Sequence, residues 1–131
     1  MDQKLPYDIE TISSIPGATQ VVDWFGQWPT FHDAYLVDVV LSTWQPCLLR
    51  LHVSKGPGGS FIYDNEGMIT FYIEPPSHYE IEGTRPGGQL LGLTIYEHPS
   101  GCEILMEGDV INGVLVTRAI SRIELSIWPP E

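Results

Sequence analysis

Positive charge is what this sequence has least of: six Lys and Arg stand against 17 Asp and Glu in 131 residues, a formal charge of −11. With no Lys/Arg cluster to displace counterions from a phosphate backbone, nucleic acid and anionic membrane surfaces drop out as partners. Cysteine is scarce as well. Cys47 and Cys102 each stand alone in an apolar, alternating stretch, which excludes a disulfide scaffold and a CxxC motif and predicts two small buried hydrophobes. No apolar run approaches the roughly 18 residues of a membrane span, and the opening MDQKLPYDIE lacks the apolar centre of a secretory signal. These absences predict a cytoplasmic protein.

Local catalytic signatures are missing too. There is no GxSxG, neither cysteine has a neighbouring base, and His32, His52, His78 and His98 show no HxH, HxxxH or HExxH spacing. The sequence therefore offers no nucleophile elbow and no zinc motif. The run Gly56-Pro57-Gly58-Gly59-Ser60 shares only its glycine content with a phosphate-binding loop and reads as a hairpin loop.

What is present is a pattern that folds. The apolar share of 43% matches a globular domain rather than an acidic disordered chain, and the length suits one domain over residues 1–131. Glycine and proline gather in clusters such as Glu74-Pro75-Pro76 and Arg85-Pro86-Gly87-Gly88, which read as turns. Between the turns, apolar residues alternate with period two over Leu36–Thr43, Leu48–Ser54, Met68–Glu74, Leu90–Tyr96, Cys102–Val110 and Arg122–Trp128, with Val114–Arg118 as a shorter addition. The expected inward sets are Val37, Val39 and Leu41; Leu49, Leu51 and Val53; Ile69, Phe71 and Ile73; Leu91, Leu93 and Ile95; Cys102, Ile104 and Met106; and Ile123, Leu125 and Ile127. One-sided alternation without helical crossovers points to antiparallel pairing. A helical stripe over Val21, Val22, Trp24, Phe25 and Trp28 follows the capping candidates Ser14 and Thr19, with Gly26 and Pro29 to close it. The predicted class is α+β: a predominantly antiparallel sheet of six to seven strands, curled or folded into a sandwich, with one N-terminal helix.

Two places concentrate chemistry. The first is the segment Trp24-Phe25-Gly26-Gln27-Trp28-Pro29-Thr30-Phe31-His32-Asp33-Ala34, which holds two of the four Trp and two of the four Phe. His32 with Asp33 as its orienter is the residue pair of a general base or a metal ligand, hence of a small hydrolase or metal site. Neighbours on an extended backbone point to opposite faces, however, so the two meet only in a turn. That geometry favours a structural role, with Asp33 capping its own backbone and His32 satisfying carbonyls beneath the aromatics.

The second place is the acidic middle of the chain. Between Asp64 and Asp109 lie nine acids against Arg85 alone, interleaved with Tyr72, Tyr79 and Tyr96 and preceded by Tyr63. Pairs two apart, Glu80 with Glu82 and Glu107 with Asp109, share a face on a strand. Acidic groups steer a basic protein into place and tyrosines supply rigid contact area. A cleft lined by Trp and Tyr would equally suit a small-ligand-binding module.

The string Trp28-Pro29-Thr30-Phe31-His32-Asp33-Ala34, following Trp24 and running into an alternating strand, resembles the signature of the immunity protein 50 family of bacterial polymorphic toxin systems. Trp28, Pro29, Phe31, His32 and Asp33 occupy the motif positions. Tyr35 stands where that family frequently has glutamate, a departure that counts against an acid/base constellation. The resemblance implies a small cytoplasmic protein, not an enzyme, that neutralises a cognate toxin by stoichiometric binding without cofactor or metal. Combined with the charge distribution, it makes Asp64, Glu66, Tyr72, Glu74, Tyr79, Glu80 and Glu82 the candidate toxin contacts, with the motif itself serving the fold.

Overall fold

The computed structural model describes residues 5–54, 66–83 and 88–129. Asp64 and the Gly56–Ser60 loop lie outside the described residues. Among the described residues two short helices come first, in place of the one expected. Asp8 caps α1 (Ile9–Ser13) by accepting from the Thr11 N–H at 2.8 Å, and that hydrogen bond holds its carboxyl below the usual carboxylate value.

Helix α2 (Ala18–Phe25) is bracketed by two left-handed glycines, Gly17 at φ 90° and Gly26 at φ 85°. The Gly26 N–H returns to the Val22 carbonyl at 2.7 Å, so the helix stops at Phe25 and Trp28 lies outside the helical stripe that included it. Ser14, a predicted start signal, instead ends α1. At Gly17 the chain runs so close to Ile123, in the last strand, that a Cβ would overlap its carbonyl oxygen. The adjacent Pro16 carbonyl accepts from the Ile123 N–H at 2.8 Å, which ties the start of α2 to a sheet edge.

Among the described residues eight strands follow: β1 (Tyr35–Val40), β2 (Cys47–Ser54), β3 (Glu66–Ile73), β4 (His78–Gly83), β5 (Leu90–His98), β6 (Gly101–Gly108), β7 (Ile111–Thr117) and β8 (Ile120–Ile127). They form two antiparallel sheets, ordered β1-β2-β3-β8 and β4-β7-β6-β5. The predicted class holds, with eight strands in place of six to seven. The additional one is β4, whose only half-buried position is Ile81; it lacks the apolar alternation that marks the others.

The inner faces meet in one hydrophobic cluster. Leu49, Leu51, Val53, Ile69, Phe71, Ile73 and Ile123 from the first sheet join Leu93, Ile95, Cys102, Ile104, Met106 and Leu115 from the second. Each fully buried Leu, Ile or Phe side chain contributes about 1.5–3 kcal/mol. Strands β5 and β1 depart from their expected alternation, and Ile127 at the end of β8 is exposed rather than inward; in β5 a register shift between Leu90 and Gly92 buries Leu90 and leaves Leu91 exposed. A bulge between Leu36 and Asp38 turns Val37 outward and gives the buried position to Leu36. Among the described residues no helix is long and apolar enough to cross a membrane.

Candidate functional site

The segment from Trp28 to Ala34 lies along the outer edge of β5. Its backbone is fixed there by Leu93 N–H to Thr30 C=O at 3.0 Å, Asp33 N–H to Leu90 C=O at 2.9 Å and Leu90 N–H to Ala34 C=O at 2.7 Å. Phe31 is buried, its ring edge-on to Trp28 at 5.5 Å and Phe71 at 5.8 Å between centroids. Sealing that ring while following the β5 edge requires left-handed backbone at Phe31 (φ 63°) and at Asp33 (φ 71°), each a strained choice costing about 1–3 kcal/mol.

Between these two residues the chain turns, so His32 and Asp33 do meet: Nδ1 lies 3.1 Å from Oδ1, with the side chains 61% and 66% exposed. Asp33 also accepts from Gln89 Nε2 at 3.1 Å. The structure thus places His32 at the surface rather than beneath the aromatics, and gives Asp33 a side-chain partner from across the loop. His32 stands on the lip of a cleft of about 270 Å³, lined also by Phe25, Gln27, Thr30, Val53 and Ser54.

The outward face of the first sheet carries a network of paired polar groups and rings. Arg50 reaches Asp38 at 3.1 Å, and His52 Nε2 lies 3.2 Å from Glu66 Oε1. The His52 ring stacks on Trp128 with centroids 3.9 Å apart, and the Arg122 guanidinium sits 4.0 Å above the Tyr72 ring. Two predicted contacts, Glu66 and Tyr72, are engaged in this network. A third, Glu74, leaves the sheet at the end of β3 and lies 3.4 Å from Arg118.

The second sheet carries the remaining three on β4, where Glu80 Oε1 lies 3.9 Å from His78 Nε2. Cys102, Ile104 and Met106 point inward, so Glu103, Leu105 and Glu107 point outward. Register then sets Glu80 opposite Val114, which faces Leu105 and Thr94, and His78 opposite Val116, which faces Glu103 and Tyr96. Glu82 lies one step along, opposite Asn112. Glu80, Glu82, Glu103 and Glu107 therefore surround half-buried Leu105 and Val114, while Val116 beside them is buried. Tyr79 faces the other way and lines a cleft of about 450 Å³ with Leu41, Trp44, Pro75 and Pro76.

The seven predicted contacts are thus not one surface. Glu80, Glu82 and Tyr79 share β4, Glu66 and Tyr72 lie on the opposite sheet, Glu74 bridges them, and Asp64 falls outside the described residues. Two features escaped the sequence. Trp44 is 82% exposed, in a polar turn between β1 and β2 where an aromatic has no core to enter. Gln89 is the partner of Asp33, 56 residues away. Among the described residues no three His, Cys, Asp or Glu side chains come together as a metal site requires. Comparison with protein-family models, curated proteins and solved structures gives no match. The functional reading accordingly rests on the chemistry of these surfaces.

Proposed function

We propose that this protein acts by binding another protein, and that it is an immunity protein neutralising a basic toxin through the outward face of the β4-β7-β6-β5 sheet. The observation that carries the reading is the arrangement of Glu80, Glu82, Glu103 and Glu107 around Leu105 and Val114. A charged rim about an apolar centre is the anatomy of a docking patch, and a net charge of −11 extends its attraction to a basic partner beyond contact range. The motif from Trp28 to Asp33 supports the same reading through its family resemblance and, in the fold, seals the β5 edge. The test is co-expression with the product of the adjacent gene: the wild-type chain protects the cell, and the Glu80→Lys, Glu82→Lys double variant, folded to the same melting temperature, does not. Protection by the double variant equal to wild type overturns the assignment of this face.

One observation favours a second reading. The His32–Asp33 pair, with Nδ1 3.1 Å from Oδ1, exposed at the lip of a cleft and held by strained backbone, has the elements of a general base with its orienter. Ester hydrolysis by the purified chain that disappears in His32→Gln supports it; turnover unaffected by that change removes it.

A further inference from the structure

Among the described residues three of the four sheet edges take at least one backbone hydrogen bond from outside their sheet. The outer edge of β5 is bonded by the N-terminal segment, with Tyr7 N–H to Ile95 C=O and Glu97 N–H to Leu5 C=O both at 2.8 Å, and by the Thr30–Ala34 loop. Strand β8 is met by Pro16, and β1 by Gly88, whose carbonyl accepts from Leu36 N–H at 3.1 Å. Strand β4 is different. Among the described residues its backbone bonds only toward β7, and five of its six residues are exposed. An open edge is a row of unpaired N–H and C=O groups that templates another strand.

The side chains of β4 say which strand. On the outward side it presents Glu80 and Glu82 beside His78, and a second copy pairing antiparallel about Ile81 would set Glu80 against Glu82. In that register the edge refuses itself, whereas it accepts positive charge. On the inward side Tyr79, 56% exposed, opens onto the cleft that it shares with Trp44; exposed Trp and Tyr are the residues that most often anchor a partner.

We propose that β4 is the docking edge for an extended segment of the partner, added as a fifth strand of the sheet. Its alternate residues are Lys or Arg, paired with Glu80 and Glu82 about 4.5–5.5 Å across the ladder. The intervening residues are apolar and enter the Trp44–Tyr79 cleft. This rests on the acidic-face reading above and adds to it the mode of recognition: main-chain hydrogen bonds for affinity and a period-two pattern of basic and apolar residues for specificity.

The test titrates the full chain with a synthetic peptide alternating lysine and valine, read by fluorescence anisotropy and by hydrogen exchange at β4. Two control peptides accompany it: one of equal composition with lysines and valines in blocks, one with alternate backbone nitrogens methylated. The alternating peptide is expected to bind and to protect β4 amides. Each control, and the Trp44→Ala variant with the parent peptide, is expected to bind about tenfold more weakly or worse. Failure of the alternating peptide to bind, or dimerisation of the free chain through β4, overturns the inference. So does equal binding of the three peptides; if Glu80→Lys, Glu82→Lys still abolishes that binding, the acidic-face reading survives and the added-strand mode falls. If the double reversal has no effect on any peptide, both fall.

Discussion

Phe31 and Asp33 both hold left-handed backbone, at φ 63° and 71°, and the turn between them lets the Ala34 N–H reach the Phe31 carbonyl at 3.1 Å. The strain is held by what surrounds it: the Phe31 ring is buried against Trp28 and Phe71, and the Asp33 amide is bonded into the β5 edge. Removing the ring should therefore cost far more than relieving the strain. Phe31→Ala is expected to lose about 3–5 kcal/mol in urea unfolding. Asp33→Gly gains from an unstrained φ but loses the Gln89 hydrogen bond, and is expected to stay within about 1 kcal/mol of wild type. A Phe31→Ala loss below the Asp33→Gly change would contradict this account of the loop.

A second prediction concerns the join between α2 and the first sheet. A methyl group at Gly17 meets the Ile123 carbonyl, which is backbone and cannot swing aside, at a φ of 90° that alanine disfavours. Gly17→Ala is expected to destabilise by about 3 kcal/mol. Gly26→Ala, where the same left-handed φ meets open space, is expected to cost about 1 kcal/mol. Thermal unfolding of the two variants gives the comparison; equal losses would refute the close approach.

Those two joins also show what the sequence makes legible. The strands with one buried face announce themselves through alternation, because a side chain every second residue must leave water. Strand β4 has no such obligation: it lies on an edge, exposes both faces, and carries the sequence HYEIEG. Val37 misleads for a related reason, since one extra residue at the bulge exchanges the faces of β1. The meeting of His32 with Asp33 depends on left-handed backbone at a phenylalanine, which no local residue preference signals. The acids were visible as a group, but only the register of β4, β7 and β6 separates Glu80 and Glu82 from Glu66, which belongs to the other sheet.

The α1 cap gives a pH prediction. The Thr11 backbone amide holds the Asp8 carboxyl below its ordinary value of 3.8. Because the folded value is the lower one, the cap contributes fully above the ordinary carboxyl range and is lost as pH falls through the folded value. The Thr11 amide proton is expected to keep its protection at mildly acidic pH and to lose it below pH 3.8. In Asp8→Ala that protection should be absent at every pH, and an unchanged profile in the variant would exclude the cap.

Thiol chemistry is the next check. Cys47 and Cys102 are buried in the shared core, and burial pushes the Cys102 thiol above its ordinary value. Neither should react with iodoacetamide at neutral pH in the folded chain, and both should react on unfolding in urea. Rapid labelling of Cys102 in the native state would show that the β6 core position opens to solvent.

The central claim, that the protein works by docking its acidic sheet face onto a basic partner, is tested most directly by stopped-flow association with the product of the adjacent gene across a salt series. The account predicts a rate constant that falls about tenfold or more from low to high ionic strength, and a Glu80→Lys, Glu82→Lys variant that associates slowly at every salt concentration. A rate constant independent of salt and unchanged by the double reversal would contradict it.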